Sequence, residues 1–469
     1  MGTNSVKSIS AKSGHPDASD VIIVLLAVTI NVIVLVNSIL HHPLMGYDVV
    51  GHLNYIATLP ERLPDRSDSG EYFSPPLPYF LPSIAYQACS HSAMGINCKV
   101  FGGNAAQLIN VFLSIGITIL FLKIADLLQP GNKYFKISLL TVFSLLTVYY
   151  KTFSQVRGEP YLAFLTILIV YLMIRIIKKS ENPSAKNVMF LGISFGLLIL
   201  SRQWGFLLLP AFFAFAIPVY FWSKPLFPQY IKLITLSLAL GFLVGGWFYI
   251  HLQRTYGTVM AFNKETKDFS FANQPASFYR TTGLKHLMLF RSPTRKTFDN
   301  LLLPIFYSDT WGDYWGYFVF VRDKSLFAAC ANKPEITSYL GRVNAASLAP
   351  SLLMAGGMLL GIAQSAFSLN RKKTSFENLI SSLLTLMIVS SLAGYMWFLI
   401  SHPMDAKGTT IKATYMIQVF MIIPLLTATF MERIRLARPN LYLLIMTIYA
   451  FVFFHNLPAM ITRYWRSCF

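Results

Sequence analysis

Charge is scarce in this chain. Only 13% of its residues are Asp, Glu, Lys or Arg, while 54% are hydrophobic. That balance excludes an ordinary soluble globular domain. Cysteine is scarce too, and four residues do not make a disulfide framework. Cys89 and Cys98 fall in one loop and either bridge there, in an oxidising compartment, or stay as two thiols. Cys330 and Cys468 have no evident partner, and no Cys/His spacing suggests a metal site. Asn-x-Ser/Thr with x other than Pro does not occur, which is compatible with a prokaryotic membrane.

What the chain has is apolar runs long enough to cross ~30 Å of hydrocarbon, recurring from Val21 to Met460. They predict about eleven spans, at 21–40, 105–128, 135–150, 160–177, 187–201, 203–222, 231–250, 347–369, 378–400, 412–430 and 440–460. The expected fold class is therefore an all-α polytopic membrane protein, one transmembrane domain over 1–469. The first run is too long for a signal-peptide core and reads as a retained span. Basic clusters at Arg175–Lys186, Arg371–Lys373 and Arg433–Arg438 fall on one side if the N-terminus is cytoplasmic. Two long loops, 41–104 and 251–346, then lie outside the cytoplasm. The net charge of +19 reads as basic residues facing anionic membrane lipids, with no nucleic-acid partner. The spans carry almost no charge at mid-depth, unlike a proton-coupled pump or an ion channel. Any chemistry is expected at the outer face.

Several charged groups collect there. Asp48 opens a helix that is expected at the interface. Val49, Leu53 and Ile56 would face the membrane, while Asp48, His52 and Tyr55 share another face. Asp48 either presents its carboxylate to a substrate or caps the helix. Glu71 and Tyr72 precede the rigid Pro75-Pro76-Leu77-Pro78 turn. In Gln155-Val156-Arg157-Gly158-Glu159-Pro160, Glu159 sits at the positive end of a helix dipole and Arg157 can pair with an acid or hold a phosphate. Arg202, at the junction of two spans, snorkels or binds an anion. Trp311, Asp313 and Tyr314 belong to a run of acids and aromatics suited to stacking on a sugar, although aromatics also populate membrane interfaces. Lys407, Lys412 and Tyr415 enter a late span, where two lysines at a helix N-terminus are best understood opposite an anion.

In order and in common side, these elements resemble the GT-C superfamily of membrane glycosyltransferases. The nearest types are protein mannosyltransferases that use dolichyl-phosphate-mannose and lipid A aminoarabinose transferases. The features that carry the resemblance are the acid after span one, the Pro-Pro-Leu motif, the acid at the start of span four, the Arg-Gln-x-Gly…Pro element of Arg202–Pro210 and the basic-x-x-Tyr entry at Lys412–Tyr415. The resemblance implies a polyprenyl-phosphate-linked sugar donor, an extracytoplasmic glycan, lipid or protein acceptor, and inversion at the anomeric carbon. It implies Asp48 as general base, with Glu159 orienting the acceptor or sharing that role. Lys412 and Lys407 would bind the donor phosphate, helped by Arg157 and Arg202. His52, Tyr55, Glu71, Tyr72, Trp311, Asp313, Tyr314 and Tyr415 would meet acceptor or sugar. The family's paired acids after span one are absent here, since Val49 follows Asp48. No clear Asp-x-Asp appears, so a divalent metal stays open as a cofactor with no clear motif behind it. The implied location is a prokaryotic inner membrane. The competing expectations are a transporter or flippase of a lipid-linked sugar and a non-catalytic assembly protein.

Overall fold

The computed structural model describes residues 17–92, 95–179, 184–262, 266–280, 284–295, 297–319, 334–369, 375–403 and 408–463. Cys330, Cys468, Arg371–Lys373 and Lys407 lie outside the described residues. Among the described residues every regular element is a helix.

Helix α1 (Ala18–Leu40) starts at Asp17, whose carboxylate accepts the backbone N–H groups of Ser19 (2.7 Å) and Asp20 (3.2 Å). The loop after it folds into α2 (Val49–Thr58) and α3 (Leu77–Ser90). Cys89 and Cys98 form a disulfide, which joins the end of α3 to the start of α4 (Cys98–Leu128). Next come α5 (Lys133–Ser144) and α6 (Thr147–Ser154), a pair bent by 62°. Helices α7 (Glu159–Lys179) and α8 (Ala185–Ser201) follow. The segment 203–222 is broken into a 3-10 turn (Gln203–Leu208), α9 (Leu209–Ala214) and α10 (Ala216–Trp222). Pro210 and Pro218 lie in that segment, and each withholds a backbone N–H from the helical ladder. Helix α11 (Leu226–Tyr256) ends on Gly257, whose φ of 75° favours glycine. The second long loop contributes a single turn, α12 (Ala276–Tyr279), then α13 (Leu302–Trp311) and α14 (Pro334–Ala346). The chain closes with α15 (Leu348–Ser368), α16 (Phe376–Ser401), α17 (Ile417–Ala437) and α18 (Pro439–Met460).

Nine helices among the described residues are long and apolar enough to cross a membrane, or ten if the bent pair is one span. The expected eleven also counts α8, which is shorter at 17 residues. The bundle core runs along α17, which packs against α5, α7, α15 and α16. Outward faces are apolar instead of charged: Leu243, Leu352 and Phe454 are each more than 70% exposed. Water would penalise such a surface and lipid does not. The protein is an integral, multi-pass membrane protein.

One expectation changes. The apolar face of α2 does not turn to lipid: Val49, Leu53 and Ile56 are buried within the protein, because α3 and α4 cover them. A buried ion pair also lies close to the start of α2. Span three continues past residue 150, and α6 carries Lys151, wholly buried and paired with the equally buried Asp309.

Candidate active site

Four helix ends meet at one place: the start of α2, the start of α7, the corner after α8 and the entry to α17. A cavity opens there, with Asp48, Glu71, Arg202, Trp204, Lys412 and Tyr415 among its lining residues. Close approach of α7 to the α8 corner depends on Gly158. A Cβ there would lie 2.4 Å from the carbonyl oxygen of Ser201.

Asp48 occupies the N-cap position of α2 but makes no capping bond. Its φ of 54° is the only positive value at a non-glycine among the described residues. That conformation turns the carboxylate to Lys412 Nζ, 2.8 Å from Oδ2. The Asp48 side chain keeps 44% exposure, whereas Lys412 keeps 11%. The aromatic faces of Tyr47 and Tyr415 stand 4.9 and 5.3 Å from the ammonium. The Lys412 ammonium beside Asp48 holds its carboxyl well below the usual carboxylate range. Burial opposes charge on Lys412, but Tyr415 and Asp48 outweigh it and the ammonium is stabilised.

A second cluster adjoins this pair. Glu159 takes two bonds from Arg157, Nε to Oε2 and Nη2 to Oε1, both 2.7 Å. Its Oε1 also accepts Arg202 Nε at 3.1 Å. Arg202 Nη1 reaches Glu71 Oε2 at 3.0 Å and Ser74 Oγ at 2.5 Å. Three acids thus face three cations, with Arg157, Glu159 and Arg202 nearly inaccessible.

Of the residues singled out in the sequence, Asp48, Glu71, Arg202, Lys412 and Tyr415 line the cavity. Glu159 and Arg157 stand behind it. The others lie elsewhere. His52 is buried and shares a 2.8 Å hydrogen bond with the hydroxyl of Tyr79. Tyr55 is stacked on Tyr79 with ring centroids 4.3 Å apart. Tyr72 donates to the Phe262 carbonyl and accepts from Arg66. The aromatic run does not form a sugar-facing surface, because the fold buries it. Asp313 accepts the backbone N–H groups of Tyr317, Phe318 and Val319, and Tyr314 donates to the Phe298 carbonyl. Trp311 is 2% exposed and belongs to an apolar crevice on a different flank.

Sequence reading missed Tyr47, Lys151 and Asp309. The signal was present but thin: a lysine one residue past an apolar run, and an acid within the aromatic run.

The buried histidines give a pH expectation. Burial pushes His52 down to about 4, and His41, bonded to Thr462 and the Met45 carbonyl, also to about 4. An unfolded histidine titrates near ~6.5. Between those values the unfolded chain binds the extra protons, so stability falls as pH drops from about 6.5 towards about 4. Thermal denaturation in detergent across that window is expected to show the slope, and the His41→Gln/His52→Gln variant to flatten it. An unchanged slope in that variant removes the histidines as its cause.

No protein-family model and no curated protein matches the chain. Solved structures do. The Archaeoglobus fulgidus oligosaccharyltransferase, in complex with Zn and sulfate, matches with a TM-score of 0.51 at 14% identity, over 94% of this chain and 53% of that one. AglB of the same organism, in complex with an inhibitory peptide and a dolichol-phosphate, gives 0.46 at 13% identity, over 95% and 56%. ArnT from Cupriavidus metallidurans, bound to undecaprenyl phosphate, gives 0.42 at 12% identity, over 93% and 76%. The chain spans about half the length of the archaeal enzyme. Likeness at this identity shows the fold alone: the chain shares the all-helical membrane fold of the Archaeoglobus fulgidus oligosaccharyltransferase, the fold class that the resemblance in the sequence led us to expect.

The first of these neighbours holds Zn, but the groups at the cavity, among the described residues, do not suit a divalent cation. Among the described residues no three His, Cys, Asp or Glu side chains converge. The cavity's acids, Asp48 and Glu71, already face Lys412 and Arg202, which would repel a second cation.

Proposed function

We propose that the chain is a membrane glycosyltransferase that moves a sugar from a polyprenyl-phosphate-linked donor to an extracytoplasmic glycan, lipid or protein, with inversion. The observation that carries this reading is the Asp48–Lys412 pair at the cavity: a partly exposed carboxylate beside a caged ammonium. The GT-C fold makes the class the first to test. Asp48 takes the proton of the acceptor hydroxyl as its oxygen attacks the anomeric carbon. The bond from that carbon to the phosphate oxygen breaks, and the phosphate departs with the electron pair towards Lys412. Arg202, on the cavity wall, supplies further positive potential, while Glu71 and Glu159 hold it in place.

In this reading the loop of α2 and α3 faces away from the cytoplasm, the N-terminus is cytoplasmic and the membrane is a prokaryotic inner membrane. The Cys89–Cys98 bridge supports that side, since disulfides persist in oxidising compartments. Purified protein in proteoliposomes, offered a panel of polyprenyl-phosphate sugars, is expected to release polyprenyl phosphate and glycosylate an acceptor. Movement of the donor between leaflets without any product overturns the reading in favour of a flippase.

A further inference from the structure

Asp309 sits where four chain segments cross, and its carboxylate is divided between them. Oδ1 accepts the hydroxyl of Tyr47 at 2.9 Å. Oδ2 accepts the backbone N–H of Ala413 at 2.7 Å. Lys151 Nζ, from α6, is paired with Oδ1 and also bonds the Asp309 carbonyl at 2.5 Å. Both side chains are fully buried. Tyr47 immediately precedes Asp48, and Ala413 immediately follows Lys412. One carboxylate therefore grips the chain neighbour of each partner in the cavity pair. We infer that Asp309 is a positioning residue: it fixes the spacing between the Asp48 carboxylate and the Lys412 ammonium, with Lys151 as its buried counter-ion. The inference rests on the roles given above to Asp48 and Lys412.

The geometry separates this role from mere packing. A buried ion pair replaced by apolar side chains of similar size is often tolerated, whereas removal of one partner strands the other. Lys151→Met/Asp309→Leu removes both charges and also the two acceptors that hold Tyr47 and Ala413. Lys151→Met/Asp309→Asn removes the charges alone. The Asn oxygen still accepts from Ala413 N–H, and its NH2 group can donate to the Tyr47 hydroxyl.

Two readouts are needed. One is kcat for sugar transfer. The other needs no substrate: the yield of a short bis-maleimide cross-link between Asp48→Cys and Lys412→Cys, with Cys330→Ser and Cys468→Ser removing the remaining thiols. The Leu variant is expected to keep a near-normal melting point, lose about tenfold or more in kcat and cross-link poorly. The Asn variant is expected to recover both readouts. Tyr47→Phe deletes one of the two bonds with the ion pair intact, so it must show a smaller cross-link loss even if the Leu variant fails to fold. Wild-type cross-linking in Tyr47→Phe, or an Asn variant as impaired as a folded Leu variant, overturns the inference. If no protein transfers sugar but the cross-links behave as described, the positioning stands and the glycosyltransferase reading fails.

Discussion

Asp48→Asn is expected to lower sugar transfer by ~10²–10⁴-fold while the protein folds and melts as the wild type does. The substitution keeps shape and removes only the charge and the basic oxygen. Stability is expected to change little, because the Asp48 side chain is 44% exposed, so water reaches the pair, and the rings of Tyr47 and Tyr415 still hold the Lys412 ammonium, itself 11% exposed. Two roles for Asp48 make different forecasts. As a base it acts in the transition state, so kcat falls. As an anchor that merely orients Lys412 it acts on donor binding, so KM rises and kcat survives. Steady-state kinetics against the lipid donor separate them, and a normal kcat in Asp48→Asn removes the base. The acidity of this carboxyl is set by its neighbour. Lys412 holds it below the ordinary range, so it is ionised throughout the neutral region. A base at Asp48 would therefore work through placement and not through an elevated pKa. A phosphate that draws on the same ammonium would loosen this hold as the donor arrives.

The charge balance around the cavity bears on how the proposed donor would be met. Three carboxylates and three cations leave the cluster near neutrality, so an arriving phosphate finds no large positive field. It would have to compete for cations already paired. Arg157 is committed at two points to a buried carboxylate, and Arg202 bridges two acids. Lys412 has one acid partner, itself partly exposed, and the rings of Tyr47 and Tyr415 hold its ammonium without consuming a negative charge. Lys412 is thus the cation most easily shared. A network of this kind favours recognition of one headgroup in one pose over strong attraction to any anion.

How legible this was follows from the kind of signal each feature leaves. Apolar runs report spans directly, so the helical membrane architecture could be read residue by residue. The order of Asp48, Pro75-Pro76, Glu159, Arg202 and Lys412 survived as a pattern because each lies at a helix end, where the sequence is punctuated by Pro and Gly. Their grouping was also legible, since all were placed on one side. What the sequence hid was how the charges pair. Pairing of Arg157 with an acid was open from the sequence, but nothing in spacing says that Glu159 would also accept from Arg202, 43 positions away. The aromatic run misled for a physical reason. Trp, Tyr and Asp suit a sugar face, but they equally suit a buried turn in which Asp313 accepts three backbone N–H groups. Lys151 was invisible because its partner is 158 positions away and the helix that carries it ran past the end of its apolar stretch.

Glu159→Gln is expected to be lost to misfolding and not to chemistry, in contrast to Asp48→Asn. Glu159 is fully buried, and its carboxylate neutralises two buried guanidiniums. The amide offers one weak acceptor and an NH2 group that points a donor at donors. Arg157 is left with no acid partner among the residues that bond it here, and Arg202 keeps only Glu71. Breaking such a buried network costs about 3–5 kcal/mol, against a total stability of about 5–15 kcal/mol for a typical domain. The expected result is a sharp fall in monodisperse protein recovered in detergent and a lowered melting point, with transfer lost in the same proportion as folded protein. Arg157→Met combined with Glu159→Gln removes one stranded cation and is expected to regain part of that stability. A Glu159→Gln protein that melts like the wild type yet transfers no sugar would instead put this carboxylate in the chemical step, sharing the proton with Asp48.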